Sequence, residues 1–265
     1  MIHPVVIVAL FALISHALPI QVTEPDINEY NMLSQGLIGL FGQTCYVSLF
    51  EDWAFNDVSC LKLAISKCLG LGIVVGGSIV KIPQIVTIVR HKSAKGLSIT
   101  SFLLETVAYQ IVLIYNTRLY HPFSTYGEVL FMTLQNIIIC LLIAHYHLQS
   151  KHTLAIMALF SALFLLLWSI PSWCMALLYA AQIPIGLASK IPQIRTNYHN
   201  ASTGQLSVFA CLNYFIGTTA RAFTTFTELD DNIMLIGNLL ASFLNAVLCF
   251  QLYIYWPPTN KKIKQ

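Results

Sequence analysis

Lys81-Ile82-Pro83-Gln84-Ile85 is written a second time as Lys190-Ile191-Pro192-Gln193-Ile194. Ser93 and Leu97-Ser98 follow the first copy as Ser202 and Leu206-Ser207 follow the second, at a constant offset of 109 residues. The same offset lays Gly77 on Gly186, Leu103 on Leu212, Leu130 on Leu239, Asn136 on Asn245, Cys140 on Cys249 and Tyr146 on Tyr255. No insertion interrupts the register, so two copies of one structural unit are expected. A duplicated membrane bundle places its working site between the copies.

Membrane residence follows from composition. Apolar residues make up 57% of the 265 and charged residues 9%, against the roughly 25% charged content of a soluble domain. The net charge of +3 is small and dispersed, which excludes a nucleic-acid partner. Seven apolar runs come near the roughly 20 residues that a bilayer core demands: 63–89, 101–116, 126–146, 153–169, 173–194, 206–226 and 232–256. The expected fold is therefore all-α, a polytopic membrane protein of seven transmembrane helices. Each repeat takes three, and 153–169, which has no counterpart, links them in a 3+1+3 order. An odd linker gives both three-helix bundles the same orientation, so the repeats are expected to be parallel.

The domain boundaries follow. Residues 62–150 form the first repeat, 151–171 the linker, 172–256 the second repeat and 257–265 the tail. Residues 1–17 read either as a cleaved signal peptide or as a retained anchor, because the apolar stretch is short and its start lacks a basic residue. Residues 18–61 read as a lumenal or interfacial segment, its apolar piece too interrupted by Gly and Gln for a span. Arg90, Lys92, Lys95, Lys151, Arg195, Lys261, Lys262 and Lys264 fall on one side of the runs, which the positive-inside bias assigns to the cytosol together with the carboxyl terminus. Five of the seven cysteines lie within apolar runs as packing residues. Cys45 and Cys60 lie on the lumenal side, where a disulfide is open to them.

Within the spans the chemistry-bearing positions are few. Pro83 and Pro192 each remove a helical hydrogen bond and crowd the carbonyls of Ile79 and Ala188, giving each copy an equivalent hinge. Gln84 and Gln193 follow at once, able to bond freed backbone or a neighbouring helix. Asn136 and Asn245, at equivalent register, are either substrate amides facing one another across the repeat axis or an interhelical clamp. Lys81 and Lys190 offer point charges for a phosphate, or else snorkel to the cytosolic interface. Arg221 sits mid-helix with Glu105 as its candidate partner. Unpaired, Arg221 would suit phosphate oxygens, and Glu105 could couple a proton. His145, His147 and His152 cluster at the cytosolic edge with His91 and His199 nearby, an arrangement that interfacial histidines adopt without metal or pH sensing. Nothing in the sequence forms a catalytic triad, a phosphate-cradling Gly loop, a metal-ligand spacing or a cofactor motif, so neither an enzyme nor a cofactor is expected.

On the duplicated Lys-Ile-Pro-Gln-Ile with Ser-x3-Leu-Ser, the chain resembles the PQ-loop family, which includes SWEET sugar transporters and cystinosin-like lysosomal exporters. From about Cys45 to Trp256 it resembles more narrowly the mannose-P-dolichol utilisation group. The stretches Asn197-Tyr198-His199-Asn200, Thr203-Gly204-Gln205-Leu206-Ser207, Ser66-Lys67-Cys68-Leu69-Gly70 and Arg221-Ala222-Phe223-Thr224 carry that likeness. The resemblance implies an endoplasmic-reticulum protein needed for use of dolichol-phosphate-mannose and dolichol-phosphate-glucose in lumenal glycosylation, by translocating or distributing the lipid-linked sugar. It also implies that Asn136 and Asn245 contact sugar, as an Asn on each of these helices does in SWEET transporters. A non-transporting chaperone or scaffold for glycosyltransferases and a proton-coupled exporter of a small solute are the alternatives.

Overall fold

The computed structural model describes residues 31–94, 97–147, 150–188, 190–203 and 208–255, without the side chains of 147, 150–152, 209 and 210. The signal-like segment, the lysine-bearing tail, Lys95-Gly96 and Gly204-Gln205-Leu206-Ser207 lie outside these residues. Among the described residues the regular structure is helical. Short helices α1 (Met32–Phe41) and α2 (Gln43–Tyr46), with a π turn at Val47–Glu51, precede the first repeat. That repeat comprises α3 (Val58–Ile79), α4 (Ile82–His91), α5 (Ile99–Arg118) and α6 (Gly127–His147), with a 3-10 turn at Phe123–Thr125. Helix α7 (Ser150–Ser169) leads to α8 (Ser172–Ala188), α9 (Lys190–Asn200), α10 (Val208–Glu228) and α11 (Asn232–Ile254).

Polar caps begin the helices where the sequence supplies them. Asp57 accepts from the backbone N–H groups of Ser59 and Cys60 at 3.1 and 3.2 Å, and Asp231 from Met234 at 3.0 Å. Such a side chain satisfies donors that the first turn cannot. A Cys45–Cys60 disulfide ties the amino-terminal segment to the first turn of α3.

Packing repeats as the sequence does. In each repeat the third helix lies between the other two: α6 contacts α3, α4 and α5, and α11 contacts α8, α9 and α10. The repeats then meet reciprocally, α3 against α10 and α8 against α5. First helix on second helix, both ways, is the contact pattern that a two-fold relation produces. The linker α7 packs on the first repeat, where Ile156 and Phe160 join Ile137, Cys140, Leu141 and Ala144.

The distribution of polarity is that of a protein whose solvent is lipid. Asn116, Asn136, Asn245, Thr106, Thr125, Thr224, Thr225 and Ser66 are among the most buried side chains, while Leu165, Leu177, Ile185, Phe226, Phe243 and Phe250 face outward. A soluble fold would reverse that arrangement. Among the described residues, five helical stretches are long and apolar enough to cross a membrane: Val58–His91, Ile99–Arg118, Gly127–Tyr146, Ser172–Asn200 and Asn232–Ile254. The other two expected spans fall on α7 and α10. Helix α7 is apolar over Thr153–Ser169, and Val208–Glu228 carries Arg221 and seven other polar side chains, chiefly Thr.

Candidate functional site

The helix is interrupted just before Pro83, yet the side chain that answers the break is not the adjacent Gln84. Helix α3 stops at Ile79, α4 starts at Ile82, and Pro83 occupies the first turn of α4, a position that tolerates its missing N–H. In an unbroken helix the Lys81 N–H would bond the Gly77 carbonyl. Gln135 of α6 stands in that gap instead: its Oε1 accepts from Lys81 N at 2.9 Å, and its Nε2 donates to Gly77 O at 2.8 Å and Ser78 O at 3.1 Å. One inserted amide thus reconnects both sides of the interruption. Helix α9 is held differently, by Gln251, which donates to Ile194 O at 2.9 Å and accepts from Asn197 Nδ2 at 3.1 Å. Pro184 lies inside α8, where it removes one helical N–H that the duplicated motif does not announce.

In each repeat the lysine two residues before the proline reaches the asparagine of its own repeat. Lys81 Nζ donates to Asn136 Oδ1 at 2.6 Å, and Lys190 Nζ to Asn245 Oδ1 at 2.6 Å. Sequence separation and distance coincide, so the repeats conserve one side-chain contact through their 109-residue register. The two asparagines are almost wholly buried, at 0% and 2% exposure. They are spent within their own repeats rather than on one another: Asn136 Nδ2 donates to Glu105 Oε2 at 3.0 Å, and Asn245 Nδ2 to Tyr214 O at 3.2 Å and Thr218 Oγ1 at 3.1 Å.

Glu105 belongs to this cluster, and its candidate bridge to Arg221 does not form. Its carboxylate pairs with Lys81 at 2.8 Å and accepts from Tyr109 Oη at 2.7 Å. The reason lies in position: Glu105 is near the start of α5, one helical level with Lys81, whereas Arg221 lies towards the far end of α10. The ammonium of Lys81 also lies 5.4 and 5.6 Å from the rings of Phe102 and Tyr109, and that of Lys190 lies 5.4 Å from the ring of Tyr214. The Glu105 side chain remains 38% exposed.

Arg221 anchors a second polar assembly that the sequence reading missed. It pairs with Glu128 and donates to Ser124 O at 2.9 Å. Lys67 pairs with Glu228 at 2.6 Å, and Glu228 also accepts from Ser66 Oγ at 2.6 Å and Ser124 Oγ at 2.9 Å. Lys67 and Glu128 belong to the first repeat, Glu228 and Arg221 to the second. Both ion pairs therefore cross between repeats and brace them along α3 and α10. Close approach makes this possible: a Cβ on Gly70 would lie 2.5 Å from Ser124 O, and one on Gly77 2.4 Å from Glu128 Cβ. Two apolar-helix glycines seven residues apart, aligned with Glu128 and the Pro122–Ser124 corner, were the available signal.

The carboxyl-terminal ends of α5 and α10 carry a further link. Tyr115 Oη donates to Asp231 at 2.7 Å, its ring stacks on Tyr179 at 4.1 Å, and His121 bonds Asn116 at 2.8 Å. In the loop between α5 and α6, burial holds the His121 imidazole below its ordinary pKa, with the Asp231 carboxylate opposing.

Comparison with known proteins agrees with this duplicated architecture. The PQ loop repeat matches residues 65–125 and again 174–234, two stretches at the same offset as the pentapeptides. The human protein solute carrier family 66 member 3 is 28% identical over 166 residues, covering 62% of this chain and 81% of its own length.

Proposed function

From a chain that carries two PQ loop repeats and is related to a solute carrier, we propose a membrane protein that binds a lipid-linked sugar phosphate between its repeats and moves it across the bilayer. In this reading α7 and α10 also cross the membrane, completing a seven-span 3+1+3 arrangement with parallel repeats and a cytosolic carboxyl terminus. The membrane is that of the endoplasmic reticulum. The substrates are dolichol-phosphate-mannose and dolichol-phosphate-glucose, as the Asn197-Tyr198-His199-Asn200 and Thr203-Gly204-Gln205-Leu206-Ser207 stretches suggest.

The observation that carries the proposal is the duplicated Lys–Asn contact beside the two Pro-Gln motifs. A sugar phosphate needs a cation for its charge and amide groups for its hydroxyls. Lys81, Lys190, Asn136 and Asn245 supply both kinds, with Glu105 as a further acceptor. The break before Pro83, and the helical hydrogen bond that Pro192 lacks at the equivalent register, give those side chains backbone that can change angle, as hinges of such bundles require. Arg221 takes a different part from the one its charge first suggests: with Glu128 it holds the repeats closed along α3 and α10, and movement of substrate past that end requires the brace to part.

Profiling lipid-linked sugars in cells that lack the protein tests the proposal. Accumulation of unused dolichol-phosphate-mannose, corrected by the wild-type chain but not by the Asn136→Ala, Asn245→Ala pair, is expected. An unchanged profile, or full correction by the double variant, contradicts it.

A further inference from the structure

Resting on that reading, we infer that the site accepts one negative charge, that of a phosphodiester or similar monoanion, and that it does so at Lys190 in the second repeat. The two lysines hold equivalent places and make the same 2.6 Å contact with an asparagine. Their surroundings differ in charge. The 109-residue offset puts Tyr214 where Glu105 stands and Thr218 where Tyr109 stands. In the first repeat Lys81 shares Glu105 Oε2 with Asn136, so the cluster is neutral. In the second repeat the ammonium has the Asn245 carbonyl and the Tyr214 ring face, and no ion pair among the described residues includes it.

Neither contact cancels a charge. Asn245 is turned with its oxygen to Lys190, because its NH2 group is committed to Tyr214 O and Thr218 Oγ1. An ammonium among apolar helices without a counter-ion is costly, and an entering anion relieves that cost. Summed over Lys81, Glu105 and Lys190 the paired clusters carry a single positive charge. A monoanion neutralises the site, whereas a dianion leaves an excess negative charge inside the bundle. The Glu-to-Tyr difference between repeats therefore sets both where the ligand's charge sits and how large it is.

The test measures binding to the full-length protein in non-ionic detergent at pH 8. The probes are mannosylphosphoryl citronellol (a diester), methyl citronellyl phosphate (a diester without sugar), citronellyl phosphate (a dianionic monoester) and citronellyl mannoside (uncharged). The mannosyl diester is expected to bind at least about tenfold more tightly than the mannoside, the scale of one charge-assisted contact. Lys190→Met is expected to remove that advantage and Lys190→Arg to keep it. Tyr214→Glu, which leaves the lysine in place but supplies the missing carboxylate, is expected to act like Lys190→Met. Glu105→Gln, which uncovers a second charge, is expected to shift preference towards the monoester. Equal diester binding by wild type and Tyr214→Glu, or a loss in Lys81→Met as large as in Lys190→Met, overturns the inference. Equally tight, Lys190-dependent binding of the sugar-free diester supports the monoanion site while rejecting sugar recognition by this protein.

Discussion

Replacing Glu228 by Gln isolates the inter-repeat brace. The Glu228 side chain is 1% exposed and that of Lys67 is 11% exposed, and they meet at 2.6 Å. The carboxylate accepts three contacts, from Lys67, Ser66 and Ser124. Gln retains an acceptor for one or two of them but turns an NH2 group towards another donor and leaves the Lys67 ammonium without its counter-charge. Breaking a buried pair from one side costs about 3–5 kcal/mol, mostly from the stranded charge. For a chain of this size that corresponds to a fall of about 6–20 °C in melting temperature. Removing both charges, Lys67→Met with Glu228→Gln, is expected to recover much of the loss, because no charge remains to be stranded. Thermal unfolding of the four proteins in detergent, followed by tryptophan fluorescence, gives the cycle directly. A coupling of at least about 1.5 kcal/mol is expected. Strict additivity, with the double variant as unstable as the sum of the singles, refutes the brace.

Other outcomes follow from the same geometry. Gln135→Leu strands the Lys81 N–H and the Gly77 and Ser78 carbonyls at the α3–α4 break, and is expected to cost about 1–3 kcal/mol for the first buried group left unpaired. Faster amide exchange confined to residues 78–85 is the readout. Gly77→Ala forces a Cβ to within 2.4 Å of Glu128 Cβ, whereas Gly76→Ala meets nothing within 4 Å. The first is expected to lower the melting point by an overpacking cost of about 1–3 kcal/mol and the second to leave it nearly unchanged. His121 is held below its ordinary pKa of 6.5 by burial, so on acidification the unfolded chain takes up its proton first. Stability is expected to fall as pH drops below 6.5, and His121→Gln is expected to flatten that slope between pH 7.5 and 5.5.

The duplicated motif made the two repeats and the α3–α4 break legible, because proline and a constant register leave marks that need no tertiary context. Lys81, Lys190, Asn136 and Asn245 were legible singly as polar groups in apolar runs, but their pairing was not. It depends on how α6 and α11 are set against the two lysines, which periodicity does not give. The Glu105–Arg221 bridge failed for a related reason: two opposite charges in neighbouring helices specify a partner only once their depth in the bundle is known. Lys67, within an apolar run, and Glu228, just beyond one, give no sign of each other in the sequence, because their pairing depends on how α3 packs on α10. Gln135 was hidden by its neighbour Asn136, the residue that the repeat register singles out.

Translocation measured on the purified protein tests the central claim most directly. Proteoliposomes with the wild-type chain are expected to take up radiolabelled mannosylphosphoryl citronellol faster than protein-free liposomes. The Asn136→Ala, Asn245→Ala double variant, folded and inserted to the same extent, is expected to fall to the protein-free rate. Uptake no faster than in empty liposomes, or undiminished in the double variant, contradicts the account.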